Sequence, residues 1–392
     1  MIKPAIVAVG YNRPEAMKRL LTSICNAHFS MDGISLIVSI DECEESNAVE
    51  EAAKSIEWTH GEMIIRRFNK RQGLRRHIIQ CGDLSNQYGA VIILEDDLVV
   101  SPSFYQYTYE ALNFYRDEPL VTGISLYSHA WNGYAGISFM PTKNEFDTYL
   151  GQFSISWGQC WTSTHWKGFK EWYAENEGKL PKKNLSMPAS ILTWNDQSWG
   201  KYFASYLVEK KLYYVIPYVS MSTNFSEVGQ HCSQADATHQ VSLMMGVKKN
   251  YHFPHIDDAI KYDIFFERDL TGITVAGIDG SDICVDLNIL KLSTLSKRYL
   301  LSPEKLNYKI IASYAMIMRP IEENVVNNIP GEDIFLYDCV KENVDLTENR
   351  FNWKRLNYDM YGYWWNMLLK EGKRRFIVAL KQKLSRIKRK IM

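Results

Sequence analysis

Apolar positions in the first hundred residues alternate between two spacings. Residues 4–9 (Pro-Ala-Ile-Val-Ala-Val) form a short β-branched run of the kind found in buried strands. After Gly10, Tyr11 and Asn12 comes Pro14, suited to the first turn of a helix, and Met17, Leu20, Leu21 and Ile24 then recur at i, i+3, i+4 and i+7, one helical face. A second apolar run, Ile34 to Ile40, ends in Asp41-Glu42 and leads into helix-compatible residues to about Ile56. Met63-Ile64-Ile65 predicts a third strand, Leu74 to Tyr88 a helix, and Ala90 to Leu94 a fully buried strand that stops at Glu95-Asp96-Asp97. Strands alternating with helices predict an α/β fold with a mostly parallel sheet flanked by helices, whose ligands sit beyond the carboxyl ends of the strands. Three polar clusters lie at those ends: Gly10–Arg13, Asp41–Glu45 and Glu95–Asp97.

Beyond residue 120 the pattern loosens into strand-like, Trp-rich pieces, with a last clear strand predicted at Leu212–Val219. The expected organisation is an α/β domain over 1–255, a mixed segment over 256–370, and a tail over 371–392. That tail carries nine Lys/Arg and no acid from Lys373 onward, with Phe376, Leu380, Leu384, Ile387 and Ile391 at helical spacing. This is the pattern of a basic amphipathic helix attracted to an anionic membrane surface; a solvated helix packed on its own domain, or a nucleic-acid arm, reads the same residues differently. The rest of the charge is balanced, 45 Lys+Arg against 45 Asp+Glu, which opposes a nucleic-acid-coating protein. Seven cysteines without CxxC spacing oppose a zinc site or disulfide framework. With no apolar run near the roughly 18 residues that span a bilayer, the expected location is cytoplasmic, peripheral to the inner membrane face if the tail engages it.

Glu95-Asp96-Asp97 is weak as a bare triplet, since chance alone supplies about 0.6 such runs in a chain this acidic. Its place at the end of a buried strand is what matters, because carboxylates there require a cation to offset desolvation. Hard oxygen ligands suit Mg²⁺ or Mn²⁺, which takes one or two protein carboxylates and completes its shell with phosphate and water. Asp41, at another strand end, is a candidate acceptor for a base or ribose group, or simply a turn residue. His77 follows Arg66, Arg67, Lys70, Arg71, Arg75 and Arg76, the most basic stretch outside the tail. No Walker loop and no GxGxxG is present.

Gly10-Tyr11-Asn12-Arg13-Pro14 after the first strand, Val38-Ser39-Ile40-Asp41 ending the second, Leu74-Arg75-Arg76-His77 in a helix, and Val91–Leu98 with Pro102 and Phe104 occur in the order that resembles a GT-A glycosyltransferase. The similarity is to the N-acetylglucosaminyltransferase I type and covers about residues 4–235. It implies that Asp97 holds Mn²⁺ (or Mg²⁺), that Glu95 and Asp96 contact sugar and ribose, and that Arg13, Asp41 and His77 line the nucleotide. Thr193–Gln197 resembles the family's Trp-acid-Asp stretch, which makes Asp196 the catalytic base, although Asn195 replaces an acid and Gln197 an aromatic. Ser220–Gln234 resembles the loop that orders over the donor, with His231 a candidate metal or phosphate contact. Gly151–Trp166 resembles the acceptor side, with Trp161 a candidate stacking platform; a buried core Trp is the plainer reading.

The implied activity is a metal-dependent, inverting transfer of a sugar from a nucleoside diphosphate donor, a UDP-sugar such as UDP-GlcNAc, to a hydroxyl of a glycan or lipid-linked saccharide in polysaccharide biosynthesis. Asp196 would take the hydroxyl proton, while the Asp97-bound cation, helped by the Arg66–Arg76 basic stretch or by Arg13, would neutralise the leaving diphosphate. Two alternatives stand beside it. One is a sugar nucleotidyltransferase, disfavoured by a first loop poor in glycine; the other is a degenerate GT-A adaptor, kept open by Asn195.

Overall fold

The computed structural model describes residues 1–181, 186–225, 227, 237–291, 297–339, 355, 358–359, 369–374 and 376–377. His231 and most of the 371–392 tail, with the membrane contact expected of it, lie outside the described residues. The chain divides into two compact units. The first comprises Met1–Tyr134, Phe139–Asp269 and Leu290–Thr294; the second comprises Ala135–Ser138, Leu270–Ile289 and Leu295–Met392.

The first unit is built on a nine-stranded sheet. Its strands include β1 (Ala5–Gly10), β2 (Leu36–Ile40), β3 (Met63–Arg67), β4 (Ala90–Glu95) and β6 (Val121–Ser125), while β5 (Leu98–Val100) belongs to a separate two-stranded sheet. Across the sheet the order is Lys261–Tyr262, Thr148–Gly151, Tyr213–Pro217, β6, Gln159–Thr162, β4, β1, β2, β3. β4, β1, β2 and β3 all run parallel, while Gln159–Thr162 is antiparallel to both its neighbours. The edge strand Lys261–Tyr262 pairs with Thr148–Gly151, so the first unit runs past residue 255 to Asp269. A two-residue edge strand carries too little periodicity to announce itself in a sequence.

Both faces of the sheet are covered, which explains apolar runs without polar alternation. On one face Ile6, Ala8, Leu36, Val38, Ile92 and Leu94 pack with Met17, Leu20, Leu21 and Ile24 of α1 (Pro14–Cys25), the face expected of that helix. On the other, Val7, Val9, Ile37, Val91 and Ile93 pack with Ile78 of α3 (Leu74–Gly82) and with Trp161, Trp166 and Phe203. α2 is Ser46–Lys54 and α3 is Leu74–Gly82; the helix expected to run to Tyr88 breaks at Asp83-Leu84 and resumes as a short turn, Ser85–Tyr88.

The second unit has its own four-stranded sheet, in the order Ile283–Val285, Tyr299–Ser302, Ile334–Asp338, Lys309–Tyr314. Leu301, Tyr314, Ile334 and Leu336 are buried in its core. Among the described residues no helix is long and apolar enough to cross a membrane.

Candidate active site

β1 is flanked by β2 on one side and β4 on the other, so chain order reverses there and the carboxyl ends of β1 and β4 open a crevice. Val9 lies opposite Glu95, and Gly10 opposite Ile40. This register places the Tyr11–Arg13 loop between Asp41 and the three acids. Two backbone groups hold the loop: the Gly10 carbonyl accepts from Asp41 N–H at 3.0 Å, and Tyr11 N–H donates to Asp96 Oδ2 at 3.4 Å.

A cavity of about 410 Å³ fills the crevice, lined by residues that include Tyr11, Arg13, Asp41, Arg71, Leu74, His77, Glu95, Asp96, Asp97, Asn195, Gln197 and Glu227. Six of the predicted site residues therefore meet in one place: Arg13, Asp41, His77, Glu95, Asp96 and Asp97. Arg13 Nη2 pairs with Asp96 Oδ1, and Nη1 lies 3.7 Å from Asp97 Oδ2. Asp96 is almost wholly buried, its side chain 6% exposed against 27% for Arg13. Burial pushes the Asp96 and Asp97 carboxyls above their ordinary range, with Arg13 pulling both back. Burial opposes the charge on Arg13 too, but attraction to Asp96 and Asp97 outweighs it and holds the guanidinium ionised. Glu95 is displaced furthest: desolvation, then repulsion from Asp97 and Asp96, raises it to about 8, and its buried Oε1 has no hydrogen-bond partner. At neutral pH Glu95 is therefore a protonated carboxyl with a hydrogen to donate.

Asp41 does more than a ligand contact would require. Its Oδ1 accepts from Glu42 N–H at 2.9 Å and Gln72 N–H at 2.7 Å, and its Oδ2 from Gly73 N–H at 2.9 Å. Gly73 sits at φ +78°, a left-handed turn that glycine adopts without steric cost, just before α3. Asp41 thus shapes the Arg71–Gly73 rim, leaving one lone pair of Oδ2 for a ligand. His77 is buried in α3, its Nε2 2.7 Å from Ser39 Oγ.

No family model matches the chain, and no curated protein matches it. Among solved structures it is similar to S. aureus TarS 1-349 in complex with UDP-GlcNAc, at TM-score 0.36 and 12% identity over 60% of this chain and 62% of that one. It is similar also to S. aureus TarS 1-349 (TM-score 0.31, 13% identity, 54% of this chain, 57% of that) and to S. aureus TarS (0.32, 12%, 54% and 35%). The chain spans less than two thirds of each of these proteins.

Two predicted residues are placed elsewhere. Trp161 is a correction: it is 0% exposed, in a central strand opposite Val91, with Nε1 donating to Tyr214 Oη at 2.8 Å. Its ring lies 4.7 Å from Trp166 and 5.4 Å, stacked, from Phe203, so no face is open to a sugar. The Asp196 side chain is 87% exposed and pairs with Lys201 Nζ at 3.3 Å; its neighbours Asn195 and Gln197 line the cavity and it does not. The basic stretch also disperses. Arg66 turns to Ser39, Arg67 to Glu42 and Glu50, Arg75 to Tyr202 and Glu177, while Arg71 alone of the six lines the cavity, its guanidinium 4.8 Å from the Tyr11 ring centroid.

Glu227 is a lining residue that sequence reasoning did not single out, although it falls within the loop expected to cover the donor. The short strand Ser222–Asn224 pairs antiparallel with β5, and Phe225 N–H then donates to the Asp97 carbonyl at 2.9 Å. This brings Glu227 to the acids, where Arg19 of α1 holds both its oxygens at 2.8 Å. With Glu95 neutral, the acid end of the cavity sets three carboxylates, Asp96, Asp97 and Glu227, against two guanidiniums, Arg13 and Arg19. The residual negative charge and hard oxygen donors fit a divalent cation. Among the described residues no group of three His, Cys, Asp or Glu side chains is arranged to hold a metal. Asp97, with Glu227 facing it, would supply the protein ligands, and phosphate and water would have to supply the rest.

Proposed function

We propose that the cavity binds a nucleoside diphosphate sugar and that the chain is a metal-dependent, inverting glycosyltransferase of GT-A type, similar to the N-acetylglucosaminyltransferase I type. The convergence of Arg13 with Glu95, Asp96 and Asp97 at the β1–β4 reversal, in a cavity large enough for a nucleotide sugar, carries the reading. Mn²⁺ or Mg²⁺ held by Asp97 would supply charge neutralisation for the diphosphate. Arg13, released from part of its pairing with the acids, is placed to stabilise the same growing charge. Glu95 offers a hydrogen-bonding partner to a sugar hydroxyl, and Tyr11 and Arg71 offer flat surfaces to a base.

Asp196 is the proposed base because the residues on either side of it line the cavity; acting there requires its pair with Lys201 to open. The exposed position of Asp196 also favours a second reading, a domain that binds the donor without transferring it. The acceptor in this proposal is a hydroxyl of a glycan or lipid-linked saccharide, held near an anionic membrane surface by the basic C-terminal sequence.

A thermal-shift series with UDP and UDP-GlcNAc, with and without Mn²⁺, tests binding, since ligand at a hundred times its dissociation constant adds about 2.7 kcal/mol. UDP release from UDP-GlcNAc then separates the two readings. The expected result is Mn²⁺-dependent stabilisation and turnover, both lost in Asp97→Asn. Stabilisation without turnover in any condition supports the non-transferring reading, and no stabilisation by either nucleotide rejects both.

A further inference from the structure

The helix Trp199–Lys210 carries a lysine in its first turn, where the positive end of the helix dipole disfavours a cation. The Lys201 side chain is 11% exposed, so its charge is also taken out of water. The carboxylate it pairs with, Asp196, lies largely in solvent and offsets little of that cost. The start of the helix does not need the charge. Ser198 Oγ caps the turn by accepting from Lys201 N–H at 3.3 Å, and Gly200 packs so close to Ser154 that a Cβ there would come within 3.0 Å of its Oγ. What the ammonium holds is the loop before the helix. Nζ donates to the Trp194 carbonyl at 3.2 Å and to Asp196 Oδ1 at 3.3 Å. Within the loop, Asn195 Oδ1 accepts from Gln197 N–H at 2.9 Å, and the Asn195 carbonyl accepts from Ser198 N–H at 2.9 Å. Successive side chains then point opposite ways: Asp196 outward beside Lys201, Asn195 and Gln197 into the cavity. Gln197 reaches the Arg71–Gly73 rim, its Oε1 3.7 Å from where a Cβ on Gly73 would lie. With Oδ1 committed to the backbone, Asn195 has its amide N–H₂ to offer a ligand oxygen.

We propose that Lys201 is a positioning residue: tethering Trp194 and Asp196 from behind, it keeps the Asn195 and Gln197 amides in the cavity wall as hydrogen-bonding partners for a nucleotide sugar. The tether stands on its own geometry; its service to the donor rests on the nucleotide reading above. The bond to the Trp194 carbonyl remains when Asp196 leaves the pair to act as base, so the loop keeps an anchor while that carboxylate moves. Lys201→Met retains the apolar stem and removes the charge. The helix then loses nothing it needs, while the loop loses its anchor.

Two measurements on the full chain test this, and the first uses no ligand. Hydrogen–deuterium exchange read by mass spectrometry should be about tenfold faster in Lys201→Met across residues 193–198, with the sheet strands unchanged and a melting temperature at or above that of wild type. Asp196→Asn, which keeps an oxygen for Nζ, should exchange like wild type. Unchanged exchange in Lys201→Met overturns the tether. Faster exchange throughout the protein with a lowered melting temperature also overturns it, because Lys201 would then be a structural residue. The second measurement is calorimetric titration of UDP-GlcNAc in the presence of Mn²⁺. Lys201→Met should bind about tenfold more weakly than wild type. Replacing Asn195 and Gln197 together by Ala should cost about tenfold in the wild-type background but less than about threefold in Lys201→Met, since the tether acts through those amides. Fully additive losses, or wild-type affinity in Lys201→Met, overturn the role in the cavity. Failure of the wild type to bind UDP-GlcNAc refutes the nucleotide reading and that role with it, while the exchange data judge the tether separately.

Discussion

Replacing Glu95 by Gln should stabilise the protein in alkali and leave it unchanged in acid. Glu95 ends β4 beside two other acids, with Oε1 buried and unpartnered. Desolvation, Asp97 and Asp96 raise its carboxyl from 4.5 to about 8, against the pull of Arg13. Between those values the folded protein keeps a proton that the unfolded chain gives up. The stabilisation is complete below 4.5 and is lost as pH rises through 8, the reverse of an ordinary salt-bridged carboxylate. Each pH unit of that span is worth about 1.4 kcal/mol, so complete desolvation would cost about 5 kcal/mol at alkaline pH. The side chain keeps an opening to the cavity, and water there reduces the cost to about 2 kcal/mol. Gln has the same shape as the protonated acid and no charge to lose. In a protein of this size the variant should melt about 2–3 °C above wild type near pH 8.5 and level with it near pH 5. Scanning calorimetry without nucleotide or divalent cation measures both. A difference in Tm that is equal at the two pH values, or that widens toward acid, would refute the neutral carboxyl.

Other substitutions separate structural from ligand roles. Arg13→Met leaves Asp96 and Asp97 desolvated without their cation and should cost about 2–3 kcal/mol in urea unfolding, at the low end for a broken buried pair because Arg13 is partly exposed. Asp41→Asn replaces one of the two accepting oxygens by an amide N–H₂ that faces a backbone donor, Gly73 N–H or Gln72 N–H, and should cost about 1–3 kcal/mol while weakening UDP binding about tenfold by calorimetry. Trp161→Ala should cost about 3–5 kcal/mol as a core cavity; a stacking role would instead raise the acceptor KM with stability unchanged. Asp196→Asn should keep UDP binding and abolish sugar transfer, read as UDP release with acceptor present.

The parts of this site that can be read from sequence are those where one residue's position in an element determines its neighbours. β4 is an unbroken apolar run because both faces are covered, so its end had to meet the crevice, and Glu95–Asp97 came with it. Asp41 and Arg13 follow from the same geometry at the ends of β2 and β1. Side chains whose direction depends on distant partners are a different matter. Trp161 sits in a four-residue strand between two antiparallel neighbours, and nothing local says that Trp166, Phe203 and Tyr214 close over it. Glu227 arrives beside Asp97 through the pairing of Ser222–Asn224 with β5, a contact across more than a hundred residues. The basic stretch looked like one anion-binding patch, but β3 and α3 turn successive arginines to different partners. Arg66 is one such divergence: the arginine that leaves the cavity reaches Ser39 behind it, the same hydroxyl that meets His77.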